Sequence, residues 1–278
     1  MPELIRQDVE LYYELSGQGA PVLFIQGVGV VGEGWRPQVN ALQDRFQTLL
    51  FDNRGIGKSA PCRGPITIEA MADDTRALMD AVGWKSAHVI GHSMGGVIAQ
   101  QLALDAPERV RSLSLLCSFA RGQDAARPTP RVIWLSLRAR VGTRRMRRRA
   151  FLDMLYPPGA LQNEDTEALA QKVSALVGRD LADQPAILMQ QLRALGRHNT
   201  FSRLHELAGI PAYVLSGAFD PIALPRFGRQ LAAAIPGARF ELMNDASHGV
   251  PIHRADEVNR RLIEFLEVTA PRQSAGKS

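Results

Sequence analysis

The sequence predicts an α/β protein built on a mostly parallel central sheet flanked by helices. Two observations carry this: short apolar runs alternate with stretches of helical period, and one long interval of about ninety residues lacks strand-like runs of the same quality. A third is a Gly-x-Ser-x-Gly stretch placed where an apolar run gives way to a helix.

Residues 9–14 and 21–26 read as two early strands joined at Ser16-Gly17-Gln18-Gly19, a turn-rich link typical of a hairpin. Residues 47–51, 87–91, 112–117, 212–216 and 239–243 follow as short apolar runs, the character of strands buried on both faces. Between them Ile68, Met71, Ala72, Thr75, Leu78, Met79 and Val82 recur at helical spacing after Thr67, an N-cap residue type. Val258, Leu262, Phe265 and Leu266 repeat the pattern near the end.

From 119 to 207 the expected elements are helices, at 132–156, 164–177 and 185–195. The expected organisation is therefore an α/β core from 1–118 and 208–270, a helical cap inserted at 119–207, and a small, polar, frayed tail at 271–278.

Composition is that of an ordinary globular protein: 45% of the 278 residues are hydrophobic and 22% charged. The formal net charge of +5 raises the question of nucleic acid, but seven arginines fall within 138–149 and the remainder is close to balanced. A like-charged run is ordinarily a solvated helix face or a partner surface, and no nucleic-acid partner is expected. Cys62 and Cys117 form no C-x-x-C pair, which favours reduced thiols and a cytoplasmic setting. No run reaches the ~18 apolar residues of a membrane span. An oligomer is left open.

Gly91-His92-Ser93-Met94-Gly95 lies between the apolar run 87–90 and a helical run ending near Pro107. In that context the serine occupies a strained strand-to-helix turn, where side chains at Gly91 and Gly95 would crowd the bend. The N–H of Met94 at the helix start can donate to an oxyanion formed when Ser93 attacks a carbonyl. A second donor is expected from Gln26-Gly27-Val28-Gly29, with the Val28 N–H the candidate.

A serine hydroxyl needs a base, and the base needs an orienting acid. Of six histidines, only His248 lies on a loop at the C-terminal end of a strand, where open α/β sheets gather functional groups. Asp220 ends the preceding strand and is preferred as the acid over Asp124 and Asp245. The chain order Ser93, Asp220, His248 is the serine, acid, histidine order of one fold family.

With these residues the sequence resembles the α/β-hydrolase superfamily from about residue 9 to 266. The stretch Asp52-Asn53-Arg54-Gly55-Ile56-Gly57-Lys58-Ser59 and the elbow continuing to Gly96 carry the likeness further. The resemblance implies an α/β-hydrolase fold with a lid over the triad, no cofactor, and a small carboxylic ester, lactone or related acyl compound as substrate. It leaves carbon–carbon bond hydrolysis and cofactor-free perhydrolysis open. Relatives usually carry His-Gly where this chain has Gln26-Gly27, which makes Val28 a less secure donor than Met94. Gln26, Gly27, Gly29, His92, Phe151 and Leu155 are the candidate substrate contacts, and no metal site is expected.

Two readings from other classes compete. Gly27-Val28-Gly29-Val30-Val31-Gly32 is a G-x-G-x-x-G after a strand, with Asp52 following Gly32 by 20 residues, as a dinucleotide site requires. Against it, Gly34 and Pro37 would interrupt the helix that should begin within the motif. The other is a non-catalytic ligand receptor on the same fold.

Overall fold

The computed structural model describes residues 3–126 and 129–269. The tail expected at 271–278 lies outside them. Strands β1 (Glu3–Ile5), β2 (Glu10–Ser16) and β3 (Ala20–Ile25) are followed by α1 (Arg36–Leu42), β4 (Phe46–Phe51), α2 (Ile68–Ala81), β5 (Ala87–His92), α3 (Met94–Asp105) and β6 (Val110–Leu116). Five helices come next: α4 (Gly122–Ala126), α5 (Pro130–Arg138), α6 (Arg144–Leu155), α7 (Thr166–Val177) and α8 (Ile187–Arg197). The chain then returns through β7 (Ala212–Gly217), α9 (Pro225–Ala234), β8 (Arg239–Met243), α10 (Val250–His253) and α11 (Ala255–Thr269).

The eight strands form one sheet in the order β1-β2-β4-β3-β5-β6-β7-β8. Pairings from β4 through β8 are parallel, and only β1–β2 and β2–β4 are antiparallel. Parallel strands need helical crossovers that cover both faces, which explains why β5 and β7 are buried along almost their whole length. Leu23, Val89, Leu113 and Leu215 from four neighbouring strands are completely buried in a core shared with Trp35, Met71, Ile98 and Leu262. Burial of each such side chain contributes about 2 kcal/mol. Thr67 caps α2, its hydroxyl accepting from the Ala70 N–H at 3.1 Å.

Two expectations fail here. The early strands are not a hairpin: β4 lies between β2 and β3, with Tyr13 opposite Phe51 and Val22 opposite Thr48. Turn residues at Gly17 and Gly19 report a reversal of the chain, not which strand fills the neighbouring place. β4, apolar on both faces, takes the inner position and half-buried β2 lies outside it. Secondly, the helix expected over 132–156 is two helices. Gly142 adopts a positive φ of 102°, and Thr143 starts α6 by accepting from the Met146 N–H at 3.3 Å.

The inserted helices have their own core of Leu152, Leu155, Leu161, Ala170, Val173, Val177 and Leu181. Much of the arginine run is matched inside the insertion. Arg144 reaches Asp180 at 2.7 Å and Asp183 at 3.1 Å, Arg148 reaches Glu167 at 2.8 Å and also Asp180, and Arg149 reaches Asp153 at 3.0 Å. Within the insertion Ile133 and Leu137 of α5 face solvent at 56% and 59% exposure. Both cysteines are free, and no described helix is long and apolar enough to cross a membrane.

His88 is sealed within the sheet, its Nδ1 2.7 Å from Ser112 Oγ, and burial pushes its pKa down from 6.5 to about 4. His253 is lowered likewise to about 4. Between pH 6.5 and 4 the unfolded chain therefore binds protons that the folded chain refuses, so stability falls as pH drops through that window, by on the order of 1 kcal/mol per pH unit per histidine. Melting temperatures taken from pH 7 to pH 5 should fall for the wild type, and more shallowly for His88→Gln.

Candidate active site

The site begins with a backbone that has no room to relax. Ser93 adopts φ 55° and ψ −120° between β5 and α3, a conformation that costs a non-glycine residue about 1–3 kcal/mol. Its surroundings hold it there: the Ser93 N–H donates to the Leu116 carbonyl at 2.9 Å, and its own carbonyl accepts from Ser118 Oγ at 2.9 Å and the Gly96 N–H at 3.0 Å. A Cβ on Gly91 would meet the Gly95 carbonyl, and one on Gly95 would meet the Ile25 carbonyl of β3. The glycines are thus required by close backbone approach, and the serine is turned out over the strand ends at the start of the twelve-residue helix α3.

Asp220 and His248 meet as the sequence expects. His248 Nδ1 donates to Asp220 Oδ2 at 2.8 Å, while Asp220 Oδ1 accepts from the N–H groups of Ile222 and Ala223 at 2.8 and 2.9 Å. The second carboxylate oxygen is fixed by its own loop, so the acid holds the imidazole plane and leaves Nε2 free to act. Both side chains are buried, as is Ser93, which is 7% exposed. Among the described residues Ser93 Oγ makes no hydrogen bond, a looseness common before substrate tightens a site.

The rival groups are engaged elsewhere. Asp245 pairs with Arg254 at 2.8 Å, Asp124 lies in α4, and His198 contacts Glu69 at 2.9 Å. His253 does not start the last long helix. It ends α10, and its Nε2 accepts from the Ser247 N–H at 3.2 Å, steadying the loop that carries His248.

His92 plays a part that its place in the motif does not announce. Its Nε2 lies 2.8 Å from the His248 carbonyl, which only accepts, so Nε2 carries the proton. Burial, reinforced by the neighbouring His248, pushes its pKa down to about 3, and the ring stays neutral. Cys117, another residue with positive φ at 46°, is buried nearby with Sγ 3.9 Å from the Ser247 carbonyl, and burial pushes its thiol up. His92, Cys117 and His248 bring three metal-ligand atoms within 4.8 Å of one another. His92 Nε2 is held by the His248 carbonyl and His248 Nδ1 by Asp220, and a thiol held protonated opposes metal binding.

The loop after β3 faces Ser93 closely: a Cβ on Gly27 would lie 3.1 Å from Ser93 Cβ. Val28 N–H and Met94 N–H donate to no acceptor among the described residues, the condition for two groups available to an oxyanion. Gln26 bonds within its own loop. Its side-chain oxygen turns back onto the Gly27 N–H at 3.0 Å. Gly29 is held from the insertion: its N–H donates to Gln191 Oε1 at 2.8 Å and its carbonyl accepts from Arg179 Nη1 at 2.9 Å. Neither Arg179 nor Gln191 stands in a motif, and they lie 150 and 162 residues from Gly29, so no local signal could have found them. Phe151 joins the core of the insertion beside Val30, and Leu155 packs against Gly249, its carbonyl accepting the Gly249 N–H at 2.9 Å.

Asp52 answers the dinucleotide reading. Its carboxylate accepts from the Gly32 N–H at 2.7 Å and the Lys58 N–H at 2.8 Å, tying two loops together. The glycine stretch is loop, a short 3-10 helix follows at Gly32–Trp35, and α1 starts only at Arg36.

With this geometry the chain compares directly with known proteins. Residues 20–255 match the family model described as alpha/beta hydrolase fold, and the chain belongs to that family. It is 32% identical over 265 residues to a protein of Azorhizobium caulinodans named "Putative carbamate hydrolase RutD", covering 95% of this chain and 98% of that one. Among solved structures it resembles the enol-lactonase from Burkholderia xenovorans LB400, with a TM-score of 0.79 and 29% identity over 96% of this chain and 100% of that one. It also resembles a thermophilic esterase from Thermogutta terrifontis, with a TM-score of 0.77 and 25% identity over 95% of each chain. The fold and the relatives mark the chain as a hydrolase.

If backbone contact is what excludes side chains from the elbow, Gly95→Ala should lower the urea midpoint by an amount equivalent to about 2 kcal/mol or more. A change within about 0.5 kcal/mol would show that the turn has slack.

Proposed function

We propose that the protein is a serine hydrolase that cleaves a small, partly apolar carboxylic ester or lactone through an acyl-enzyme. The observation that carries this reading is the Asp220–His248 hydrogen bond on loops beside a strained, outward-turned Ser93. In this reading Ser93 attacks the carbonyl carbon while His248 Nε2 takes its proton, and Asp220 stabilises the imidazolium. The Val28 and Met94 N–H groups receive the oxyanion, each contributing about 3 kcal/mol in the transition state. His248 then protonates the leaving alcohol, activates a water and returns to neutrality as the acid departs. The inserted helices act as the cap that excludes bulk water, with Phe151 and Leu155 on its inner side.

A carbamate is the second reading, favoured by the name of the relative at 32% identity. Its carbonyl asks for the same nucleophile and the same oxyanion donors, so the triad does not separate the two.

Turnover of p-nitrophenyl acetate and butyrate beside an aryl carbamate ranks the substrates, and a fluorophosphonate probe reports the nucleophile. Ser93→Ala should abolish labelling and cost about 10⁵-fold or more in kcat, and His248→Ala about as much. The double variant should lose little beyond either single, whereas multiplying losses would count against one catalytic unit. Asp220→Asn should keep the fold and lose about 10³- to 10⁴-fold. A folded wild type that neither turns over nor labels would favour a ligand receptor.

A further inference from the structure

The insertion brings an arginine to the loop facing Ser93 and gives it no carboxylate. Asp180, next in the chain, accepts from Arg148 and Arg144, and Asp183 pairs with Arg144. Arg179 has no ion pair among the described residues, in contrast to Arg144, Arg148 and Arg149. Its Nη1 donates to the Gly29 carbonyl, its guanidinium lies 5.6 Å from the centre of the Phe151 ring, and its Nε is buried without a hydrogen-bond partner. Gln191 shows the same pattern from the other side of Gly29. It is completely buried, its oxygen accepts the Gly29 N–H, and its Nε2 has no partner.

A buried donor left unpaired costs about 1–3 kcal/mol, more when charged, so each such group calls for a partner, which a water or a ligand supplies. Burial also lowers the pKa of the Arg179 guanidinium, with Asp183 the one charge opposing that shift. The location is as telling as the deficit. Phe151 and Leu155 lie one turn apart on α6, about 6 Å along its axis, and Leu155 touches Gly249, the residue after His248, while the Arg179 guanidinium stands over Phe151. Gly29 is two residues from Gly27, the residue against Ser93.

We propose that Arg179 and Gln191 form a subsite for a carboxylate carried by the substrate, which makes the preferred substrate an anionic acyl compound such as the half-ester of a dicarboxylic acid. The guanidinium supplies charge and Nε, the amide supplies Nε2, and Phe151 covers the guanidinium face. This rests on the hydrolase reading for turnover, though not for binding.

The test compares p-nitrophenyl hydrogen glutarate with p-nitrophenyl valerate, of equal acyl length, in wild type, Arg179→Met and Arg179→Lys, together with calorimetric binding of glutarate. Wild type should favour the hemiglutarate at least tenfold in kcat/KM, mainly through KM. Arg179→Met should bring that ratio to about one and weaken glutarate binding at least tenfold, and Arg179→Lys should restore part of both. Equal losses on the two esters would reduce Arg179 to a prop for Gly29 and overturn the proposal, as would a wild type indifferent to the carboxylate. Glutarate binding that depends on Arg179, with neither ester cleaved, would sink the hydrolase reading and leave the subsite standing.

Discussion

Three stretches of backbone meet at the centre of this molecule with no side chain between them. The end of β3, the end of β5 and the first turn of α3 approach so closely that Gly91 and Gly95 have no replacement without movement of carbonyl groups. This contact fixes Ser93 in a conformation it would not adopt alone, and it sets the distance from Ser93 to the loop that follows β3. Everything else at the site is aimed at that one point. β7 and β8 deliver Asp220 and His248 from their C-terminal ends because the parallel sheet collects its strand ends on one edge. The apolar core beneath makes the strained turn affordable, since its cost is small beside the burial of the central strands.

Charge is arranged by the same economy of position. At the elbow His92 stays neutral, its pKa lowered by burial to about 3, and further back in β5 burial lowers His88 to about 4. In the insertion Arg144 and Arg148 of α6 bind acids of α7 and the segment after it, so part of a run that looks like a surface field is internal bonding between helices. Such exposed or half-exposed pairs add little to stability, and their effect is to fix how α6 and α7 lie together.

What could be read from the sequence follows the range of each signal. The elbow, Asp220 and His248 were legible because one is a contiguous motif and the others sit at strand ends in a fixed chain order. Strand positions were legible to within a residue or two because continuous apolar runs mark strands buried on both faces. β1 was not, since three residues are too few to show a period. The pairing of β2 with β4 was hidden because turn glycines mark a reversal and carry no information about neighbours. The break before α6 rests on Gly142 and Thr143 within an otherwise continuous helical pattern. Arg179 and Gln191 were invisible for a stronger reason: their importance comes only from where the insertion lands.

That last point bears on how the protein comes together. The elbow is made from β5 and α3, adjacent in the chain, and is braced by the end of β3 and by Leu116 and Ser118. The loop opposite is pinned at Gly29 by residues 150 and 162 positions away, contacts that close long loops and form slowly. A chain that has assembled its sheet but not yet seated α8 holds Ser93 in place without the pinned loop that faces it. The two halves of the site therefore belong to different moments of folding, and the second is governed by the docking of the insertion rather than by the sheet.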